Sequence, residues 1–330
     1  MKQMSFHLIR CRIGAEAYCF EMSSVASVCQ SVTLRMGPQA APGAPIGWVA
    51  FPGDDDVPVF RLADCLDRTS IADDARRQHI VVVRTSLGLQ GFLVDAVSRA
   101  MPVSTDDIRA VPPLLNDSAR RLFKSIVLFR EDGQPDSLGL VLSAERLHQH
   151  ALPLTADASS NLPVRSTIAQ ETVGADKPVR AASAGRIVLF PLTGSGVVGR
   201  DLLCGLSAAQ VVEIVEPLSI VPVPLAPAQV AGMVLWRGQA VPVLRLHECL
   251  GLPAETQTRR MVILRHAGEI FALSTAHVLR ARRLPVPHRP CAPPSEFKPD
   301  VLWGAFQSES EMLVIPNLAR LTRPRSPGVM

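Results

Sequence analysis

The sequence predicts an all-β fold present in two tandem copies, and three observations carry that prediction. First, Val57-Pro58-Val59-Phe60-Arg61-Leu62-Ala63-Asp64-Cys65-Leu66 returns as Val241-Pro242-Val243-Leu244-Arg245-Leu246-His247-Glu248-Cys249-Leu250, with seven of ten positions identical. Second, both blocks follow a Gly-bounded apolar stretch, Gly47-Trp48-Val49-Ala50-Phe51-Pro52-Gly53 and Gly232-Met233-Val234-Leu235-Trp236-Arg237-Gly238. Third, the flanking matches stay collinear: Tyr18-Cys19-Phe20 answers Leu203-Cys204-Gly205, and Leu138-Gly139-Leu140-Val141-Leu142 answers Met312-Leu313-Val314-Ile315. The spacing is far longer than the solenoid repeats of about 20–50 residues. It therefore marks two domains of one fold, expected at 1–152 and 184–330.

The strand signals run in order. Phe6–Ile13, Ala17–Phe20, Gly47–Phe51, Val57–Leu62, His79–Arg84 and Leu89–Val94 are short runs of apolar and β-branched residues, the pattern of strands. Stretches 186–192, 201–206, 232–236, 241–246, 260–265 and 269–273 repeat the series. Turn residues punctuate them at Pro52-Gly53-Asp54, Glu131-Asp132-Gly133 and Thr193-Gly194-Ser195-Gly196. Short helical turns are expected at Ser23–Val28, Leu62–Leu66 and Ala144–His148, and at Ser207–Val212, Leu246–Leu250 and Asn317–Leu321. Residues 153–183 are rich in Ala, Ser, Thr and Asp without periodicity and read as a flexible linker. Many short strands with frequent turns point to sandwiches or barrels.

Composition narrows the class. The chain has 330 residues, 47% hydrophobic and 19% charged, with 28 prolines; that is a globular chain of about two domains. The net charge of +4 is concentrated in residues 186–330, which hold 15 Lys/Arg against 10 Asp/Glu. Arg280, Arg282, Arg283 and Arg289 supply much of the excess. No interleaved aromatics accompany them, so a nucleic-acid partner is not expected. The uncharged run Pro217–Trp236 contains Pro217, Pro222, Pro224 and Pro227, which would break a membrane-spanning helix. No secretory leader is apparent, and a cytoplasmic location, at most beside a membrane-associated array, is expected. The seven cysteines form no CxxC pair and sit in apolar runs. They read as buried reduced thiols, with no metal and no cofactor expected.

Catalytic signatures are missing. There is no GxSxG, HExxH, Walker loop or dinucleotide fingerprint. Thr193-Gly194-Ser195-Gly196 lacks the Lys-Ser/Thr of a phosphate loop and reads as a hairpin turn. Asp54-Asp55-Asp56 reads as a solvated turn, and His148 and His150 as surface residues. His7, His79, His247, His266, His277 and His288 are scattered. A non-enzymatic binding protein is expected. A β-barrel enzyme with an unfamiliar site would instead require a deep polar pocket with converging titratable groups.

The repeated blocks resemble the CheW-like domain of bacterial chemotaxis adaptors. Copy one carries Val57-Pro58-Val59, Val81-Val82-Val83, Leu93-Val94-Asp95-Ala96-Val97 and Thr105-Asp106-Asp107-Ile108-Arg109-Ala110-Val111-Pro112. Copy two carries Val211-Val212-Glu213-Ile214, Gly232–Gly238 and Val241-Pro242-Val243. The departures differ between the copies. The family's Asp before Leu is Arg61 and Arg245, the Arg of Leu-Arg-Gly is Pro52 in copy one, and the acidic position kept as Glu213 is Ser27. Copy two has Leu273-Ser274 near the place of Val94-Asp95.

The resemblance implies that each domain is a pair of small SH3-like five-stranded barrels with a few short helices. It implies a scaffold that couples the cytoplasmic tip of a chemoreceptor to a CheA-type histidine kinase. A related adaptor controlling surface motility or second-messenger output is the alternative. The implied protein-binding residues are Val211, Glu213, Val234, Trp236, Arg237 and Gly238 in copy two, and Val94, Asp95, Ile108 and Arg109 in copy one. Copy two is expected to keep the receptor face. The other copy would then serve the kinase, with the linker raising the effective concentration of one partner near the other into about the mM range.

Overall fold

The computed structural model describes residues 5–37, 44–53, 56–68, 78–115, 117–130, 137–151, 186–192, 201–253, 258–275, 278, 282–283, 289–295, 297–298, 300–308 and 311–322. The linker at 153–183, the turns at 131–133 and 193–196, Asp54, Asp55, Arg280, His277 and His288 lie outside them.

Among the described residues, copy one contains thirteen strands: β1 (Ser5–Ile13), β2 (Glu16–Glu21), β3 (Val25–Gln30), β4 (Arg35–Met36), β5 (Gly47–Val49), β6 (Val57–Arg61), β7 (His79–Thr85), β8 (Gly88–Val94), β9 (Ala96–Val97), β10 (Met101–Ser104), β11 (Ile108–Arg109), β12 (Phe123–Phe129) and β13 (Ser137–Leu142). Its helices are α1 (Leu62–Cys65), α2 (Asp117–Leu122) and α3 (Ala144–Ala151). Copy two contains β14 (Arg186–Pro191), β15 (Asp201–Ser207), β16 (Val211–Val215), β17 (Val230–Trp236), β18 (Gln239–Arg245), β19 (Arg260–His266), β20 (Glu269–Thr275), β21 (Arg282–Arg283), β22 (Arg289–Cys291), β23 (Leu302–Gln307) and β24 (Glu311–Pro316), with helices α4 (Leu246–Leu250) and α5 (Leu318–Leu321).

Each copy folds its strands into two curled sheets. In copy one the orders are β10-β1-β2-β13-β12-β11, with β9 also on β1, and β3-β7-β8-β6-β5-β4. In copy two they are β21-β14-β15-β24-β23-β22 and β16-β19-β20-β18-β17. The parallel pairs also correspond, β2–β13 with β15–β24 and β6–β8 with β18–β20. The halves therefore share one strand order, and the chain is a tandem duplication of one all-β fold. Each sheet has a five-strand body, extended in three of them by edge strands of two or three residues.

The long strands read as continuous apolar runs because both their faces are buried. Along β7, Ile80 and Val82 point into the small core inside their own sheet, while Val81 and Val83 point into a larger core between sheets. Along β19, Met261 and Ile263 face inward in the same way, while Val262 and Leu264 join the larger core. That larger cluster runs without a break through both copies, and β13 of copy one lies beside β17 of copy two.

The glycines bounding the repeated block have distinct duties. A Cβ on Gly47 would lie 2.3 Å from the Arg35 carbonyl oxygen, and one on Gly232 would lie 2.3 Å from that of Val221. In both copies a backbone passes over this position as it closes the sheet, through the pairs Arg35↔Trp48 and Val221↔Met233. The second glycines, Gly53 (φ 86°) and Gly238 (φ 71°), occupy left-handed turn positions.

Three expectations are corrected. Val25–Val28 and Val211–Val212 belong to strands β3 and β16, not to helical turns; of the expected Ser23–Val28 turn, just the beginning lies in a 3₁₀ turn, Met22–Ser24. Each strand carries a β-bulge, at Val25/Ser27 and at Val211/Glu213. The extra residue breaks the period-two alternation that identifies a strand. The matching bulges make Glu213 the counterpart of Ser27. In addition, His79 pairs with Val94 and Arg260 with Thr275. The counterpart of Val94 is therefore Thr275, two residues beyond Leu273.

The copies fasten their two sheets differently. In copy one the Tyr18 hydroxyl donates to Glu16, and Arg68 Nε approaches Glu16 Oε2 at 2.9 Å. Burial, with the Glu16 carboxylate beside it, raises the pKa of the Tyr18 phenol. In copy two the positions corresponding to Tyr18 and Arg68 are Cys204 and Leu252, both buried. Burial likewise pushes the thiol of Cys19 up to about 12 and raises those of Cys11 and Cys204. These cysteines are free and act as small core residues.

Candidate protein-binding site

The site in copy two is built on the β17–β18 hairpin. Trp236 pairs with Gln239, leaving Arg237 and Gly238 as a two-residue turn. Their φ values are 48° and 71°, the pattern of a type I′ turn that matches the twist of the strands. Pro52 replaces Arg237 in copy one and cannot adopt positive φ. That hairpin accordingly has a longer connection between Val49 and Val57.

The turn is held from across the sheet. Trp236 Nε1 donates to Glu213 Oε2 at 2.9 Å, and Arg237 Nη2 lies 3.0 Å from the same oxygen. The Arg237 guanidinium also sits 5.1 Å from the Trp236 ring centroid, within range of a cation–π contact. Trp236 itself is only 8% exposed, whereas the Arg237 side chain is 67% exposed. The result is a cation displayed over a fixed aromatic base. Beside Glu213, the outward side chains of β16 are Val212 and Ile214, about two-fifths exposed. Sequence reasoning did not single these two out. Their signal was the alternation on either side of Glu213, which the bulge obscured.

The predicted residues fall into separate environments. Glu213, Trp236, Arg237 and Gly238 come together, with Val211 half-buried at the start of the same edge strand. Val234 is fully buried in the sheet's inner core. In copy one, Val94 is buried. Asp95 accepts from the Gly14 N–H at 2.7 Å and from Gln78 Nε2 at 3.2 Å, while its own N–H donates to the Arg12 carbonyl at 2.9 Å. Asp95 thus secures the β1–β2 turn. Ile108 is half-buried against the core of its sheet. Arg109 donates to the Asp106 and Ile108 carbonyls and lines an open groove of ≈450 Å³. The groove's other wall is copy two: Gln239, Ala240 and Ile270 face Val111 and Pro112 across it.

A second pocket of ≈270 Å³ in copy two is lined by Arg245, His247, Glu248, Thr258 and Ser274. Arg245 donates to the Ala228 carbonyl at 2.7 Å and lies 3.7 Å from Glu248, and Ser274 Oγ lies 3.4 Å from the Leu244 carbonyl. Arg245 thereby anchors the loop leading into β17. Among the described residues no three His, Cys, Asp or Glu side chains are grouped to hold a metal. None of the described helices is long and apolar enough to cross a membrane.

The fold defines a duplicated all-β protein. Comparison with family models places it further. The model described as CheW-like domain matches residues 7–152 and again residues 196–325. The chain belongs to the CheW-like domain family and carries the domain twice; members of the family are scaffold and adaptor proteins of chemotaxis. Among solved structures, the scaffolding protein TtCheW from Thermoanaerobacter tengcongensis is similar over 44% of this chain and 88% of its own, at 19% identity and a TM-score of 0.37. No curated protein matches the chain.

Proposed function

We propose that the chain is a non-enzymatic adaptor that couples a chemoreceptor's cytoplasmic tip to a CheA-type histidine kinase at a cytoplasmic, membrane-associated array. The observation that carries this reading is the Glu213–Trp236–Arg237 cluster with Val212 and Ile214 beside it. An exposed guanidinium, a fixed aromatic and two flanking apolar side chains form the kind of surface that anchors protein partners. Copy two holds the receptor through this cluster. Copy one, which lacks the acidic position and the turn arginine, serves the kinase through the face around Ile108 and Arg109. Two sites on one chain keep one partner near the other, so neither needs to be strong alone.

The test uses the full chain with single substitutions. Receptor fragment and kinase regulatory domain are immobilised separately. Arg237→Asn abolishes receptor capture and leaves kinase capture intact, and Arg109→Ala does the reverse. If both substitutions affect the same partner, the division between copies is wrong.

A further inference from the structure

The duplication supplies its own comparison for the pocket of ≈270 Å³ in copy two. That pocket lies between Ile220 and Pro222, the start of β17, the junction of β18 with α4, and the end of β20. Aligned sequence and strand pairing fix the equivalent positions in copy one. Ala231 answers Ile46, each one residue ahead of the matching glycine. Ser274 answers Leu93, since Arg245 pairs with Ser274 as Arg61 pairs with Leu93. Ile46 and Leu93 belong to the small apolar core of their sheet. Both replacements are shorter, and one is polar. A third, His247 where copy one has Ala63, puts an imidazole at a position only 1% exposed. Copy two has thus opened, and made polar, a place whose walls are apolar in copy one. The pocket is separate from the displayed cluster: Ala231 and Trp236 stand near opposite ends of β17, roughly 16 Å apart at ~3.3 Å per residue.

The pocket holds one ionised group of each sign. Arg245 Nε lies 3.7 Å from Glu248 Oε1, an ion pair too long for a hydrogen bond. Arg245 Nη1 donates to the Ala228 and Val230 carbonyls at 2.7 and 3.3 Å. Among the described residues no hydrogen bond uses Arg245 Nη2 or Glu248 Oε2. A pair of N–H donors and a carboxylate oxygen therefore remain for a ligand. A simple anion would meet the Glu248 carboxylate, and a simple cation the Arg245 guanidinium. A ligand carrying both charges answers both. Ile220, Pro222 and Ala231 add an apolar wall. The volume falls just below the about 300–1,000 Å³ of pockets for drug-sized ligands, which suits a smaller molecule.

We propose that this pocket binds a small zwitterion, an α-amino acid with a short side chain. Its carboxylate pairs with Arg245, its ammonium with Glu248, and its side chain lies against Ile220 and Pro222. His247 and Ser274 supply further polar contacts.

Isothermal titration calorimetry of the full chain with alanine, serine, valine and leucine, one at a time, tests this without receptor or kinase. At least one of them should bind. Its N-acetyl and amide derivatives, each lacking one charge, should bind about tenfold or more weakly, the loss of one charged hydrogen bond. Ala231→Ile with Ser274→Leu, which restores the side chains of copy one, should abolish binding and leave the melting temperature no lower than that of wild type. Glu248→Gln keeps the shape of the pocket and should weaken binding by a factor similar to that of N-acetylation. No binding of any of the four overturns the proposal. So does an N-acetyl derivative that binds as tightly as its parent, or an affinity that Glu248→Gln leaves unchanged.

Discussion

Trp236 and Glu213 lie on the last and first strands of one sheet, β17 and β16, and the indole N–H of one donates to the carboxylate of the other at 2.9 Å. The bond joins the two edges of a sheet curled back on itself. It also fixes the ring over which Arg237 is displayed. Stability and binding geometry therefore share one side-chain pair, and substitutions can separate them.

Trp236→Phe removes the donor together with part of a buried ring. The expected cost is about 2–4 kcal/mol, a hydrogen bond to a charged group plus the packing lost around the smaller ring. Glu213→Gln keeps an acceptor for the indole and loses only the ion pair with the exposed Arg237. Exposed pairs contribute little, so its urea midpoint should stay close to wild type. A midpoint for Glu213→Gln as low as that of Trp236→Phe would assign the stabilisation to the ion pair instead.

Arg237→Asn should dissociate binding from stability. Asn tolerates positive φ better than Arg, and Asn-Gly is the preferred type I′ pair. The melting temperature should hold or rise while receptor capture is lost. A marked fall in melting temperature would make Arg237 a structural residue.

Much of the fold was legible in the sequence because its strands are buried on both faces. Runs such as Ile80–Val83 and Met261–Leu264 stay apolar whichever way a side chain points, and polar residues bound them at both ends, so their limits were readable and the duplication aligned them. The bulged strands were not legible, because Val211-Val212-Glu213 places two residues opposite one and mimics a helical turn. The site was legible in part. Glu213, Trp236 and Arg237 stood out by residue type, but their meeting depends on how a curled sheet brings its edges together, which no local pattern records. Val94 and Val234 followed the same motifs into the core, and Asp95 into a turn, because a motif marks structural and displayed positions alike.

Gly232→Ala should destabilise the chain by about 1–3 kcal/mol, because the added carbon meets the Val221 carbonyl oxygen and the backbone must shift. Gly47→Ala should do the same against Arg35. Gly53→Ala meets nothing within 4 Å and pays only for its φ of 86°, about 1 kcal/mol. Urea denaturation of the three variants checks the order. Gly53→Ala as damaging as Gly232→Ala would contradict the close approach at the sheet closure.

The chain should lose stability in alkali. The thiol of Cys19 has its pKa raised by burial from 9.0 to about 12, and those of Cys11 and Cys204 are raised for the same reason. Below about pH 9 both states are protonated and nothing changes. Above it the unfolded chain ionises while the folded one holds its protons, so stability falls with a slope of order 1 kcal/mol per pH unit per thiol. Urea midpoints from pH 7 to 11 should fall beyond pH 9. Cys19→Ala should flatten that fall, and an unchanged slope would remove the thiol from the account.

Coupling of receptor to kinase is tested most directly by a three-component capture assay. A chemoreceptor cytoplasmic fragment is immobilised, the full chain is added, and retention of the histidine kinase regulatory domain is measured. The account predicts that the kinase is retained only when the chain is present, and that Arg237→Asn abolishes its retention. Kinase that is never retained, or that is retained equally without the chain, would contradict it.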